Sequence, residues 1–283
     1  MHKRHELEEE LRGFGVNQGD TLMVHASLKA VGPVAGGAEA IVDALLGAVG
    51  DSGTLMAYVS WDRSPYEETL NGAELTRDER DRWPAFDPAT AGVERSFGLL
   101  NAFLVRRPGA RRSAHPDASM VAIGAHADHL VAPHDMNSAY GPGSPIERFV
   151  ALGGKVLLLG APLDAVTVLH YAEAIADIAN KRWVTCEMPL IDGAGNKVWV
   201  RGEDFDSNGI LDCYAIDDAP DAVERIARDY VAAGHAKIGK VGDANCHLFD
   251  ASDIVKFGVE WLEHRHGGRS EDGGKALSQG TER

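Results

Sequence analysis

Four short apolar runs limit most strongly what this chain can fold into: Thr21 to Ala26 (TLMVHA), Thr54 to Ser60 (TLMAYVS), Ser119 to Gly124 (SMVAIG) and Lys155 to Gly160 (KVLLLG). Runs of this length and apolarity read as buried strands. Amphipathic stretches with helical spacing separate them, at residues 38–49, 97–105, 145–152, 164–179, 219–233 and 252–266, with Asp164 as the N-cap of the fourth. Strands alternating with helices imply an α/β fold. At 283 residues the chain has room for one large domain or two small ones, and its apolar fraction of 44% supplies a full core. No repeat and no interdomain linker divides it, so residues 1–266 are expected to form one domain.

Two segments break the alternation. A long polar connection covers residues 61–90, and a hairpin is expected around Asp192 to Asn196 (DGAGN). The tail from residue 267 to 283 (GGRSEDGGKALSQGTER) lacks apolar residues other than single alanine and leucine positions and is expected to be disordered. The start, MHKRHELEEELRGFG, is charged and helix-like, without the apolar middle of a signal peptide, and no run approaches bilayer length. A cytoplasmic protein with no membrane partner is therefore expected. Cys186, Cys213 and Cys246 are odd in number, far apart and never in a CxxC pair, which disfavours both a disulfide framework and a cysteine-based zinc site. A formal net charge of -15 argues against a nucleic-acid partner and favours the approach of a cation, although acidic surfaces also simply keep proteins dissolved.

Several familiar signatures fail where their chemistry needs them. Gly234 to Lys240 (GHAKIGK) has P-loop spacing, but Val241 replaces the Ser or Thr that would hold magnesium. Gly50-Asp51-Ser52-Gly53 is a polar turn between helix and strand, and Thr54 breaks the nucleophile-elbow pattern. GxGxxG and HExxH are absent, and the histidines form only loose pairs such as His126 with His129 and His264 with His266, so no metal is expected. Three constellations remain. In VTVLHYAEAI, residues 166–175, His170 and Glu173 lie three apart on a helix that follows a buried strand, close enough to touch. This spacing fits either a satisfied core histidine or an imidazole whose tautomer and basicity a carboxylate sets. His25 to Gly32 (HASLKAVG) follows the first strand and offers amides and hydroxyls to an anion, while Arg111-Arg112-Ser113 offers guanidinium groups suited to phosphate or else forms a solvated basic loop.

In this order, VHASLKAVGPVAGGAEAIVDALL, WDRSPYEETLNGAEL, RRSAHPDASMVAIG, YGPGSPIERF, LLLGAPLDAVTVLHYAEAIADI, NKRWVTCEMP and DSNGILDCYAI resemble the aminoglycoside 3-N-acetyltransferases from near the start to about His266. The resemblance implies a single-domain layered α/β/α fold with a central mixed sheet, different from the common GNAT acetyltransferases. The pyrophosphate loop of that other fold is missing, its nearest approach being Arg106 to Arg111 (RRPGAR).

The family's activity is transfer of the acetyl group of acetyl-CoA to the 3-amine of the 2-deoxystreptamine ring of gentamicin-like antibiotics, which confers resistance. On this resemblance His170 is the general base, Glu173 orients and charges it, and Thr167 donates to the thioester oxygen. The cosubstrate is expected along His25, Ser27, Leu28, Lys29, Ala30, Val31 and Gly32, with Arg112, Ser113 and Ser119 nearby. A polycationic substrate needs carboxylates, hydrogen-bond acceptors and aromatic faces, for which Trp61, Asp62, Tyr66, Glu67, Asp206, Asn208 and Glu224 are the candidates. Two rivals stand beside this reading: an acetyltransferase of the same build acting on another amine, and a CoA-binding or cation-sequestering protein without turnover.

Overall fold

The computed structural model describes residues 1–267, so all of the expected disordered tail except Gly267 lies outside the described residues. In chain order the first half holds α1 (Arg4–Gly13), β1 (Thr21–Ala26), α2 (Leu28–Val31), α3 (Gly37–Val49), β2 (Thr54–Tyr58), α4 (Tyr66–Thr69), α5 (Arg77–Arg82), α6 (Asn101–Leu104), β3 (Arg111–Arg112) and β4 (Met120–Gly124). The second half holds α7 (Ala127–Leu130), α8 (Pro145–Ala151), β5 (Lys155–Leu159), α9 (Leu169–Ile175), β6 (Trp183–Ile191), β7 (Lys197–Phe205), α10 (Ala222–Ala232), β8 (Lys237–Val241), β9 (Ala244–Asp250) and α11 (Ala251–His266).

Seven strands form one mixed sheet in the order β3-β4-β2-β1-β5-β9-β8. The uniformly buried β1 sits at its centre, parallel to β2 on one side and β5 on the other. That is the burial expected of a parallel strand covered on both faces. Alternate residues feed two cores: Met23, Met56, Val156 and Leu158 join the core formed with α8 to α11, while Leu22, Val24, Leu55 and Leu157 join the one formed with α1 and α3. The layered α/β/α arrangement expected from the family resemblance is therefore the observed one. The helix after β1 covers one face and the helix after β5 the other, so the chain directions part between these neighbouring strands. A crevice opens at the carboxyl ends of parallel strands where this happens.

The differences from the sequence expectation have local causes. The helix expected over residues 164–179 is a 3-10 turn at Leu163–Ala165 followed, after a break, by the seven-residue α9. Val166 takes φ -75° and ψ 70°, outside the helical region, and Ala176 returns to extended backbone, so Asp164 caps no α-helix. Val166 and Val168 are buried, and their side chains reach the core from the turn that precedes α9. The stretch at 97–105 shortens to a 3-10 turn at Arg95–Phe97 and the four-residue α6. The expected hairpin forms as β6 and β7 and makes a separate two-stranded sheet. The GHAKIGK segment with P-loop spacing is a turn leading into the edge strand β8.

Candidate active site

A cleft of about 770 Å³ opens at the carboxyl ends of β1 and β5. The loops after the two strands press against each other there: Ser27 N donates to Leu159 O at 3.0 Å, and Gly160 sits at φ 71°, where a Cβ would collide with that of Ala30. Glycine is required at this close approach. Its lining comes from the end of β1 and start of α2, from the 61–90 connection, from residues 95–99, and from the stretch joining β5 to α9.

His170 occupies the first turn of α9 and lines the cleft. Its Nδ1 meets Glu173 Oε2 at 2.7 Å, one helical turn further on, with 16% of the His170 side chain and 2% of the Glu173 side chain exposed. The Tyr140 ring lies against the imidazole with centroids 4.8 Å apart. Burial alone would lower the imidazole pKa, but the hydrogen bond and charge of Glu173 outweigh it and raise the pKa above the ordinary 6.5. Burial raises the Glu173 pKa, and the imidazole partly offsets this. With Nδ1 held by a carboxylate, Nε2 is left for the cleft. Such an imidazole can accept a proton from a neutralising amine and pass it on. Thr167 also lines the cleft, from the bend before α9 rather than from within the helix, and its Oγ1 makes only a long contact of 3.4 Å to Ala165 O.

Of the expected cosubstrate residues, His25, Ser27, Leu28 and Lys29 line the cleft. The His25 ring is buried, which lowers its pKa to about 4 and keeps it neutral, and Nε2 has no protein partner. Ala30 packs under the loop at Gly160, Val31 is buried in the α1–α3 core, and Gly32 ends α2 at φ 85°. Arg112, Ser113 and Ser119 belong to an interior network instead of the cleft wall. The Arg112 guanidinium donates to Ser119 Oγ, to the carbonyls of Ala91 and Gly92 at 2.8 and 2.9 Å, and to that of Ser60. Ser113 Oγ accepts from Met120 N at 2.9 Å and pairs with His134 Nδ1 at 3.0 Å. These donors and acceptors are already engaged.

The expected substrate residues also divide. Tyr66, Glu67 and Asn208 line the cleft. Asp206 and Glu224 line an adjoining hollow of about 460 Å³, which shares Asp164, Asn208 and Asp221 with the cleft. There Asp206 accepts from Arg182 at 2.9 Å, and Glu224 pairs with Arg228. Trp61 is buried against Phe86, with ring centroids 5.4 Å apart, and does not face the cleft. Asp62 lines a neighbouring cavity beside Arg112.

Sequence reasoning passed over Tyr58, Asp117, Tyr140 and Asp221, all of which line the cleft. Asp117 sits inside a quoted block yet on a loop, where no periodicity marks which way a side chain points. The cleft is polarised as a result: Glu67, Asp117, Asp164 and Asp221 supply negative charge, while Lys29 and Arg95 supply positive charge. Among the described residues no cluster of three His, Cys, Asp or Glu side chains is arranged to hold a metal, and no helix is long and apolar enough to cross a membrane.

Comparison with known proteins agrees with this architecture. The family model described as aminoglycoside 3-N-acetyltransferase matches residues 23–263. Aminoglycoside N(3)-acetyltransferase III from Salmonella sp is 63% identical over 267 residues, covering 94% of this chain and 93% of that protein. The solved structure of AAC-VIa bound to sisomicin superposes with a TM-score of 0.92 at 56% identity, covering 94% of this chain and 99% of the other. The binary complex of AAC-IIIb with CoASH gives a TM-score of 0.88 at 39% identity, covering 95% and 98%.

Proposed function

The chain belongs to the aminoglycoside 3-N-acetyltransferase family, an acetyl-CoA-dependent group, and from that premise we propose that His170 is its general base, held and charged by Glu173. The observation that carries the reading is the 2.7 Å contact of Nδ1 with a buried carboxylate on a ring that lines the cleft. A thioester is already activated toward acyl transfer. The chain therefore has to supply a neutral amine, hold it at the carbonyl and stabilise the oxygen that becomes negative.

In this mechanism the substrate ammonium loses its proton to Nε2 of His170, and the amine nitrogen then bonds to the thioester carbon. The nitrogen, now bonded to carbon, gives its second proton to solvent. Collapse of the tetrahedral species then breaks the carbon–sulfur bond, and the proton held by His170 passes to the departing sulfur, leaving the amide and the free CoA thiol with one proton released overall. Glu173 stabilises the imidazolium between these two events, as its charge and burial suit. The Thr167 hydroxyl, weakly held at 3.4 Å, is free to turn toward the thioester oxygen. His25, Ser27, Leu28 and Lys29 face the cosubstrate, and Arg112, Ser113 and Ser119 brace the wall behind it. Tyr66, Glu67 and Asn208 face the polycationic substrate, for which sisomicin, bound by a relative, is the model. Residues 1–266 are taken as the acetyltransferase domain.

Mixing the protein with acetyl-CoA, an aminoglycoside and a thiol reagent tests the reading. Free CoA should appear only when all components are present, with gentamicin-type acceptors and not with simple amines. Turnover that is indifferent to the acceptor contradicts the acceptor class, and no CoA release at all contradicts enzymatic function.

A further inference from the structure

Asp117 is a half-buried carboxylate of the cleft wall whose orientation is set by a hydrogen bond. It sits between β3 and β4, directly ahead of the buried residues that start β4. The Ser64 hydroxyl donates to its Oδ1 at 2.8 Å, and the Tyr58 hydroxyl donates to its backbone carbonyl at 3.1 Å. The Ser64 bond orients the carboxylate and the Tyr58 bond holds the backbone beneath it, while the side chain lines the cleft. No basic side chain pairs with it among the ion pairs of the described residues. A partly desolvated carboxylate without a cationic partner gains from a ligand that supplies the opposite charge.

Its position relative to the proposed base is fixed by aromatic packing. Tyr140 lies against His170 with centroids 4.8 Å apart, Tyr58 lies 6.2 Å from Tyr140, and Tyr58 bonds to the Asp117 backbone. One rigid path of two rings thus joins the proton acceptor to this carboxylate. We propose that Asp117 seats a second ammonium of the aminoglycoside while the reacting amine stands at His170, and so decides which of the substrate's amines is presented for acetylation. The inference rests on the proposed role of His170.

Burial supports the same assignment, because it raises the Asp117 pKa to about 6, with the Ser64 hydrogen bond opposing and Glu67 adding to the rise. Tyr58, Tyr66 and Tyr140 also feel its charge, as does Cys186 on β6, but none of them carries a positive charge toward it. An ammonium placed there favours the ionised carboxylate and drives out the proton. Near pH 6 substrate binding should therefore release a proton that comes from Asp117.

Asp117→Asn keeps the shape and the Ser64 contact while removing the charge. Against a gentamicin-type substrate its KM should rise about tenfold to a hundredfold, the scale for a lost charge-assisted hydrogen bond, with the KM for acetyl-CoA unchanged. Calorimetry at pH 6 in buffers of different ionisation enthalpy should show a smaller proton release on sisomicin binding than in the unaltered protein. Asp117→Glu should recover part of the affinity. Should Asp117→Asn fail to fold, Ser64→Ala, which frees the carboxylate to rotate, should still raise the aminoglycoside KM several-fold. An unchanged aminoglycoside KM, or an equal rise in the acetyl-CoA KM, overturns the inference. If the unaltered protein turns over and His170→Ala does not, but Asp117→Asn matches the unaltered protein, this inference alone fails. If His170→Ala turns over normally, the reading beneath it fails instead.

Discussion

His134 and His170 are both buried imidazoles near Tyr140, and they differ in one respect that separates structure from chemistry. His134 spends both ring nitrogens, pairing Nδ1 with Ser113 Oγ at 3.0 Å and donating from Nε2 to Ala139 O at 2.8 Å. Burial then lowers its pKa to about 4, with no carboxylate partner to reverse the effect. His170 spends one nitrogen on a carboxylate and keeps the other toward a cleft, and its pKa is raised. The lesson is that a buried imidazole becomes a candidate base through an anionic partner on one side and an opening on the other. His134 nonetheless serves the site from behind, since it holds the carbonyl of the residue before Tyr140, whose ring packs on His170.

The comparison breaks most visibly at His170 itself. His170→Ala should lower kcat/KM by about a hundredfold to ten-thousandfold while leaving the thermal midpoint nearly unchanged, checked by steady-state kinetics and calorimetry. Turnover near the original level would place His170 with His134 as a core histidine. Glu173→Gln keeps the hydrogen bond and removes the charge, so kcat should fall by roughly tenfold to a hundredfold, measured at pH 7. His134→Ala should act in the opposite way. It leaves Ser113 and Ala139 without their partner, so about 1–3 kcal/mol of stability should be lost in denaturant titration, with the pH dependence of the surviving activity unmoved. The smallest effect concerns the surface charge: raising salt from about 0.05 to 0.5 M should increase the aminoglycoside KM only a few-fold, as screening weakens attraction to the acidic side of the cleft.

How much of this was legible in the chain follows from burial. The strands β1, β2, β4 and β5 announce themselves because both faces are covered and nearly every residue is apolar. Edge strand β8 is largely exposed, and β9 mixes exposed polar residues such as Asn245 with buried ones, so neither carries that signal. His170 and Glu173 were legible because helical spacing alone brings them together. What already surrounds Arg112 was not legible, because sequence shows what a side chain can bond and does not show that the carbonyls of Ser60, Ala91 and Gly92 accept from it in the fold. Asp117 and Tyr140 escaped notice for the converse reason: they sit on irregular loops whose direction is set by distant contacts, Ser64 for the first and His170 for the second.

The central claim is that an imidazole charged by its carboxylate takes the proton of the substrate amine, and the pH profile of kcat/KM tests it most directly. A general base works only when neutral, so the rate should climb with pH until His170 is deprotonated, at a midpoint above the ordinary 6.5 because Glu173 favours the imidazolium. In Glu173→Gln that support is gone and the limb should move to lower pH, while any limb belonging to the substrate amine stays in place. A limb that keeps its position in Glu173→Gln, or that survives unchanged in His170→Ala, contradicts the account.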